Sequence, residues 1–303
     1  MNNFKNVKKR LGIIALVFFY SLTSNTAQAG DIVTQWNFDT WADFTGATYE
    51  GVGGGTTFTG PHELSWGVDG ADFTTAGTGR SGLTIGTGVM GGDRFGGGNV
   101  LGFINTIIGG VPGPNQAAKG ISATHWNNPL TAPVDSLLSG ILTDNLTLEA
   151  VLPNGGPVQA APQIAIDFKF QETPNAGTNG VCLDGSAPPA AGCPDIFGFE
   201  GSAALGIPFN YDGNEYGLNI LVFDANGGSA PFQTLDDGYC SALGLNNGCS
   251  GLVTPESAFT SFQFGFNISH VGVSTVPEPS SLVLLAGAMM LFGAKKRKFN
   301  ILK

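Results

Sequence analysis

Apolar residues recur at every second position in several separated stretches of this chain. Phe262, Phe264, Phe266 and Ile268 alternate with Gln263, Gly265, Asn267 and Ser269. Tyr216, Leu218, Ile220 and Val222 alternate with Gly217, Asn219, Leu221 and Phe223, and Ile164, Ile166, Phe168 and Phe170 with Ala165, Asp167, Lys169 and Gln171. A period of two places one set of side chains on a single face of an extended strand; a helix would scatter the same set around its axis. Leu146 and Leu148 alternate with Thr147 and Glu149, and Ile32–Phe38, Gly82–Ile85 and Leu101–Ile108 supply further strands. Gly51–Gly55, Gly91–Gly98 and Asn226–Ser229 read as turns and loops between them.

Composition supports that reading. There are 47 Gly in 303 residues, and each Gly weakens a helix by ~1 kcal/mol relative to Ala. Sustained helical periodicity appears only near the two termini. Disorder is excluded by 42% hydrophobic residues and 22 Phe. The expected fold is all-β: a β-sandwich of jelly-roll-like type, with long Gly-rich loops, over residues 30–275 as one body.

Charge is segregated. Of 13 Lys and Arg, only Arg80, Arg94, Lys119 and Lys169 lie between Gly30 and Thr275, a stretch holding 22 of the 23 acids. Phosphate backbones are bound through Lys and Arg, so no nucleic-acid partner is expected. The body should be acidic, soluble and attractive to cations.

The ends read as addresses. Met1–Arg10 is basic, Leu11–Leu22 is largely apolar, and Ala27-Gln28-Ala29 puts small residues before Gly30. This is the pattern of a secretory signal peptide over residues 1–29, cut at Ala29/Gly30 by the general secretion machinery. At the other end, Val276-Pro277-Glu278-Pro279-Ser280-Ser281 precedes an apolar run Leu282–Ala294 and the basic cluster Lys295-Lys296-Arg297-Lys298. Such a run, as a helix, spans only ~20 Å of a ~30 Å hydrocarbon core, which suits a transient anchor with its basic end in the cytoplasm. Residues 276–303, with Pro277, Glu278 and Pro279 as the motif, resemble the PEP-CTERM sorting tail of exported Gram-negative proteins. The resemblance implies processing by exosortase, transient inner-membrane anchoring by a short transmembrane helix, and a final place on the outer surface or in the extracellular matrix.

All four cysteines lie in the body, in two close pairs bracketing turn-rich segments. Outside the cytoplasm an even count reads as disulfides, and of three possible pairings the local one, Cys182–Cys193 and Cys240–Cys249, closes each loop. A zinc site needs closer spacing than these pairs offer, and no His stands by for a thiol catalyst.

No catalytic signature emerges. Gly86-Thr87-Gly88-Val89-Met90-Gly91 fits a dinucleotide fingerprint but lacks the helix start that must follow. His62-Glu63-Leu64-Ser65-Trp66 has Trp where a zinc protease carries its second His. There is no G-x-S-x-G, and 22 acids make carboxylate pairs inevitable rather than informative. No cofactor and no metal ligands are assigned. A structural calcium suits an extracellular module, with Asp69 and Asp72, Asp236 and Asp237, or Asp212, Asn214 and Glu215 as acidic loops, but their spacing fixes no position.

Thr124-His125-Trp126-Asn127-Asn128-Pro129 is the most distinctive polar cluster in the body. Thr, His and Asn there are expected to bond neighbouring backbone and fix a turn before Pro129. Thr124, His125, Trp126 and Asn127 are also the candidate binding residues, with Trp126 placed to stack on a sugar. The string resembles the THxN group of PEP-CTERM proteins. Further agreement lies in Leu64-Ser65-Trp66-Gly67, Phe170-Gln171-Glu172-Thr173-Pro174-Asn175, Cys193-Pro194-Asp195-Ile196-Phe197 and Thr254-Pro255-Glu256. The resemblance implies a unified body and lends no activity. The expectation is a non-enzymatic surface or matrix protein associated with exopolysaccharide. A secreted glycan hydrolase and a self-assembling surface protein are the alternatives.

Overall fold

The structure is a computed structural model and describes residues 30–87, 97–130, 133–200, 206–224 and 233–273. The signal-like segment, the fingerprint-like Gly88–Gly91, and the sorting tail with its motif and apolar run lie outside the described residues. Among the described residues no helix is long and apolar enough to cross a membrane.

The described chain is all-β. In order it forms β1 (Gln35–Tyr49), β2 (Thr56–Thr59), β3 (Glu63–Gly67), β4 (Arg80–Gly86), β5 (Val100–Ile108), β6 (Ala118–Asn127), β7 (Leu137–Leu152), β8 (Val158–Ala160) and β9 (Ile164–Gln171). There follow β10 (Asp195–Phe199), β11 (Gly206–Tyr211), β12 (Asn214–Asp224), β13 (Gln233–Thr234), β14 (Ser250–Thr254) and β15 (Ala258–Val273). Besides a 3-10 turn at Pro114–Gln116, a short α-helix, α1 (Asp237–Ala242), sits inside the second cysteine loop, where turns alone were expected. Its Cys240 packs with Ile196, Leu235, Leu243 and Cys249 in a small satellite core. Six residues are too few to show a helical period.

The main path of the sheet runs β13-β14-β10-β9-β7-β1-β5-β15-β6-β4-β3-β2. Neighbours are antiparallel except β15 and β5, which pair in parallel through Ile268↔Thr106 to His270↔Ile108. The long β1–β7 ladder shifts register between Phe44 and Gly46 and again near both ends; each shift bends and twists the pair. The consequence is visible in ring contacts. His125 on β6 meets Phe197 on β10 at 4.8 Å between centroids, although β9, β7, β1, β5 and β15 separate those strands along the sheet. Trp66 on β3 meets Phe170 on β9 at 5.1 Å. The sheet therefore doubles back, and its two arms enclose one core of Phe44, Leu64, Trp66, Ile85, Ile121, Leu142, Phe168, Phe170, Phe197, Leu252, Phe262 and Phe264.

The predicted alternation is present where a strand has one wet face. Ile164, Phe168 and Phe170 are buried while Ala165, Asp167 and Lys169 are exposed. β15 departs from it, since Gln263 and Asn267 are buried as well as Phe262, Phe264 and Phe266. Gln263 Nε2 donates to Gly120 O at 3.0 Å, and Asn219 Nδ2 donates to Asn267 Oδ1 at 2.9 Å, while Asn267 Nδ2 is buried without a partner.

The described chain divides into two compact units. The smaller gathers Gly30 with Asn210–Glu215: the Gly30 N–H donates to Asp212 O at 2.8 Å, and Asn214 Nδ2 donates to Gly30 O at 2.9 Å. The larger, Asp31–Phe209 with Tyr216–Val271, carries the core and everything described below.

Candidate functional site

At one edge of the core, the ends of five elements converge. β9 stops where Pro174, which has no N–H to give a ladder, follows Glu172 and Thr173. Thr173 fastens this loop to the next. Its N–H donates to Asp195 Oδ1 at 2.8 Å, and its hydroxyl lies 3.0 Å from Cys193 O and 2.9 Å from Pro194 O. The Cys193 N–H donates to Asn175 O at 3.1 Å. Cys182 and Cys193 are joined, with Cα atoms 5.5 Å apart, and Cys240 and Cys249 likewise at 5.8 Å, so the local pairing is the one formed. The first disulfide anchors the segment that presents Asp195.

Asp195 opens β10 and stands opposite Thr254, the last residue of β14. Pro255, Glu256 and Ser257 then carry the chain across to β15, where Ala258 pairs with Asn127 of β6. Ser257 takes φ of 57°, a left-handed conformation that turns the chain sharply. This crossing joins the two arms, and Glu256 sits in it.

Three carboxylates meet here. One oxygen from each of Glu172, Asp195 and Glu256 lies within 4.8 Å of the others. Asp195 is fully buried and Glu256 nearly so, at 0% and 3% exposure. Glu172 Oε2 accepts the Trp66 indole N–H at 3.0 Å, but Glu172 Oε1 and Asp195 Oδ2 are buried without a hydrogen bond, and the buried Glu256 oxygens are approached by the Asn127 amide and the Ser257 N–H without a well-formed one. All three carboxyls are pushed above the usual carboxylate range, chiefly by burial. Repulsion from Glu172 and Glu256 raises Asp195 further, and Glu256 and Glu50 raise Glu172, against the pull of the Trp66 hydrogen bond. No described cation answers them: Arg80 donates to Thr56, Val68 and Ser65, Lys119 lies over the Phe223 ring, and Lys169 is on an exposed face.

Two carboxamides border the cluster. Asn127, at 1% exposure, donates through Nδ2 to Thr254 O at 3.1 Å. It lies beside the Glu256 carboxylate and draws its pKa down, yet its Oδ1 has no hydrogen-bond partner. Asn175 donates through Nδ2 to Leu130 O at 3.4 Å, and its Oδ1 is likewise buried without one. A Cβ built on Gly192 would meet Asn175 Oδ1 at 2.8 Å and Glu256 Cγ at 3.0 Å. The backbone of the disulfide loop thus closes directly over the cluster, with no room for a side chain.

The predicted binding residues are split by the strand they occupy. Thr124–Asn127 is the end of β6, an antiparallel strand rather than a turn, because Ser261 to Ala258 of β15 and Thr84 to Gly82 of β4 ladder with it on either side. Alternate side chains then point to opposite faces. His125 and Asn127 face the core edge with the carboxylates. The Thr124 hydroxyl pairs with Ser261 Oγ at 2.8 Å, and the half-buried Trp126 donates to Thr84 Oγ1 at 3.1 Å and packs against Phe259. His125 is fully buried: its Nδ1 is 3.0 Å from Thr254 Oγ1 and its ring stacks on Trp66. Burial lowers its pKa to about 3, so the imidazole is neutral.

None of the acidic loops considered for calcium supplies a member of this cluster. Asp72 accepts from Thr74 and Thr75 in an exposed turn, and the Thr74 bonds hold its pKa down. His62 Nε2 lies 3.1 Å from Asp43 Oδ1. Sequence reasoning did not single out Glu172, Asp195 or Glu256 as a site. Their signal was present: each follows or precedes a Pro within two residues, in the strings Glu172-Thr173-Pro174, Pro194-Asp195 and Pro255-Glu256. All five strings behind the THxN resemblance contribute to this one place.

A separate cavity of about 350 Å³ lies between the arms, lined by Phe44, Leu142, Phe168, Phe197, Val222 and Phe264 among others; none of the three carboxylates lines it. No protein-family model matches the chain, and no curated protein matches it.

Proposed function

We propose that this chain is an exported, exosortase-processed protein of the cell surface or extracellular matrix, a PEP-CTERM protein with a THxN-type body, non-enzymatic and associated with exopolysaccharide. The observation that carries the reading is a body whose only cysteines form two disulfides, flanked in sequence by a secretion-type start and a Pro277-Glu278-Pro279 tail. Disulfides persist in oxidising compartments. The doubled sheet is read as a β-sandwich. A structural rather than catalytic body is supported by the burial of Asp195, Glu256 and His125, which withholds them from a polymeric substrate. An acidic body with few cations suits a hydrated matrix, where divalent ions bridge anionic groups.

Cells producing the wild-type chain should retain it at the surface, and cells producing a chain lacking residues 277–279 should not. Equal retention overturns the sorting assignment. The purified chain should co-sediment with the producer's exopolysaccharide in calcium-replete buffer; failure to do so removes the matrix partner. Turnover of a glycan panel that one Asp or Glu substitution abolishes would replace this reading with a hydrolase.

A further inference from the structure

We propose that Glu172, Asp195 and Glu256, together with the side-chain oxygens of Asn127 and Asn175, form a calcium site that clamps the two arms of the sheet at the Thr254–Ala258 crossing. The site rests on geometry within the larger unit and stands whether or not the chain is exported.

Three acids gathered within 4.8 Å do not by themselves make a site, since carboxyls can share protons. The decisive feature is the surplus of acceptors. Glu172 Oε1, Asp195 Oδ2, Glu256 Oε1 and Oε2, Asn127 Oδ1 and Asn175 Oδ1 are all buried, and none receives a well-formed hydrogen bond; the Asn127 amide and Ser257 N–H only approach Glu256. Protons could satisfy all of these oxygens only with the three buried acids neutral at once, each giving its O–H to a neighbour or a carboxamide; with any one ionised, acceptors are left over. Asn127 shows the shortage: its Nδ2 donates to Thr254 O and approaches the Glu256 carboxylate, while its buried Oδ1 has no donor. A buried acceptor without a donor is costly, and a cation satisfies several at once.

The donor set selects the ion. All six atoms are oxygens and three of the groups are anionic; His125 Nε2 is also buried without a partner, but the group converging within 4.8 Å is the three carboxylates without it. Zinc prefers nitrogen and sulfur. Magnesium demands a tight octahedron and keeps several waters. Calcium takes 6–8 oxygens in flexible geometry, commonly mixing carboxylates with carboxamides. A divalent ion would also reduce three formal negative charges to one. Its ligands come from both arms and the link between them: Asn127 ends β6, Glu172 and Asn175 follow β9, Asp195 opens β10, and Glu256 lies in the crossing. The disulfide loop, closed over the cluster at Gly192, completes the enclosure.

The test uses the full chain with both disulfides closed, stripped with chelator and then titrated with calcium, magnesium or zinc alone. Calcium about a hundredfold above its Kd should raise the melting temperature by about 5–10 °C, and magnesium at the same concentration should do much less. Terbium should give emission sensitised by Trp66, which is bonded to a ligand, and calcium should displace it. Glu256→Gln and Asp195→Asn should weaken calcium binding at least about tenfold, a loss typical of a removed charged contact. Both should also melt higher than wild type without metal, because each removes a repelled, buried carboxylate. That opposite sign separates loss of a ligand from loss of the fold. Identical melting with and without calcium, absent terbium emission, or stabilisation by zinc and not calcium would each overturn the proposal. A chain that binds calcium but is not retained at the surface refutes the sorting assignment alone.

Discussion

The indole N–H of Trp66 donates to Oε2 of Glu172 at 3.0 Å, joining residues 106 positions apart on opposite arms of the sheet. Trp66 is fully buried, so its N–H has no water to fall back on, and among the described residues it is the donor to the Glu172 carboxylate. Trp66→Phe keeps an aromatic ring against His125 and Phe170 but removes this bond. Burial raises the Glu172 pKa to about 8, so at pH 7 without metal the bond is mostly to a neutral carboxyl and contributes about 0.5–1.5 kcal/mol; the orphaned acceptor and the void left by the smaller ring add to the loss. Urea denaturation at pH 7 in chelator should show a loss of about 3 kcal/mol. A loss below about 1 kcal/mol would mean that the bond contributes little to joining the arms.

The two disulfides should separate by function although they match in size. Each closes a loop of about ten residues, worth roughly 2–3 kcal/mol in the chain-entropy model. Serine replacement of either pair should lower stability by that amount. Replacing Cys182 and Cys193 should also weaken calcium binding, because Cys193 O accepts the Thr173 hydroxyl and the same segment holds Gly192 and Asp195 against the cluster. Replacing Cys240 and Cys249 should leave calcium binding intact, since they pack on Ile196, Leu235 and Leu243 instead. Calorimetric titration of both variants, at a temperature where each is folded, checks the contrast; equal losses of affinity would refute it.

Strands were legible in this sequence because each is a local pattern. Ile164–Phe170 announces itself by alternation, and the buried set is the set that the alternation selects. What the alternation does not carry is company. Asn267 looks like an outward residue, and it is buried because β12 brings Asn219 to it. His125 and Asn127 looked like parts of a turn, because Asn-Asn-Pro follows, and the ladder with β15 and β4 outweighed that local preference. The carboxylate cluster was legible only as fragments. Glu172, Asp195 and Glu256 are separated by 23 and 61 positions, and each alone is an ordinary acid beside a proline. Their meeting depends on the doubling of the sheet, a long-range property that no window of sequence contains. The disulfides were the exception, since the local pairing chosen from three possibilities because each closes a turn-rich loop is the one formed.

Asp144 gives stability a pH slope of its own. It lies on β7 opposite Ala42, accepting the Thr40 hydroxyl at 2.7 Å. Burial raises its pKa to about 6, against the pull of Thr40 and the Asn145 backbone. The folded state therefore keeps this proton after the unfolded chain, near pH 4, has released it. Stability from this group is greatest below about pH 4, falls as pH rises to about 6, and is flat above. Partial exposure limits the drop to about 2 kcal/mol. Asp144→Asn retains the acceptor for Thr40 and cannot ionise. It should equal wild type near pH 4 and exceed it by about 2 kcal/mol at pH 7, measured as the difference between paired urea curves. A difference independent of pH would show that Asp144 ionises as freely in the fold as outside it.

Glycine abundance has a packing cause that can be tested position by position. Gly140 on β7 stands opposite Phe168 on β9, and a Cβ there would lie 2.3 Å from the end of that ring. Gly102 stands opposite Phe38 in the same way, at 2.7 Å. In both pairs the ring lies across bare backbone, covering a ladder that a side chain would otherwise shield. Gly140→Ala should displace Phe168, a core residue, and cost about 1–3 kcal/mol. In a Phe168→Leu background the same substitution should cost less by at least about 0.5 kcal/mol, the coupling expected of residues in contact. Gly51 is the control: it is exposed, without a positive φ, and has nothing within 4 Å of a built Cβ. Gly51→Ala should be neutral or stabilise by up to about 1 kcal/mol, by narrowing the unfolded ensemble. If Gly140→Ala and Gly51→Ala instead shift the midpoint alike, the glycines are serving backbone freedom rather than making room for rings.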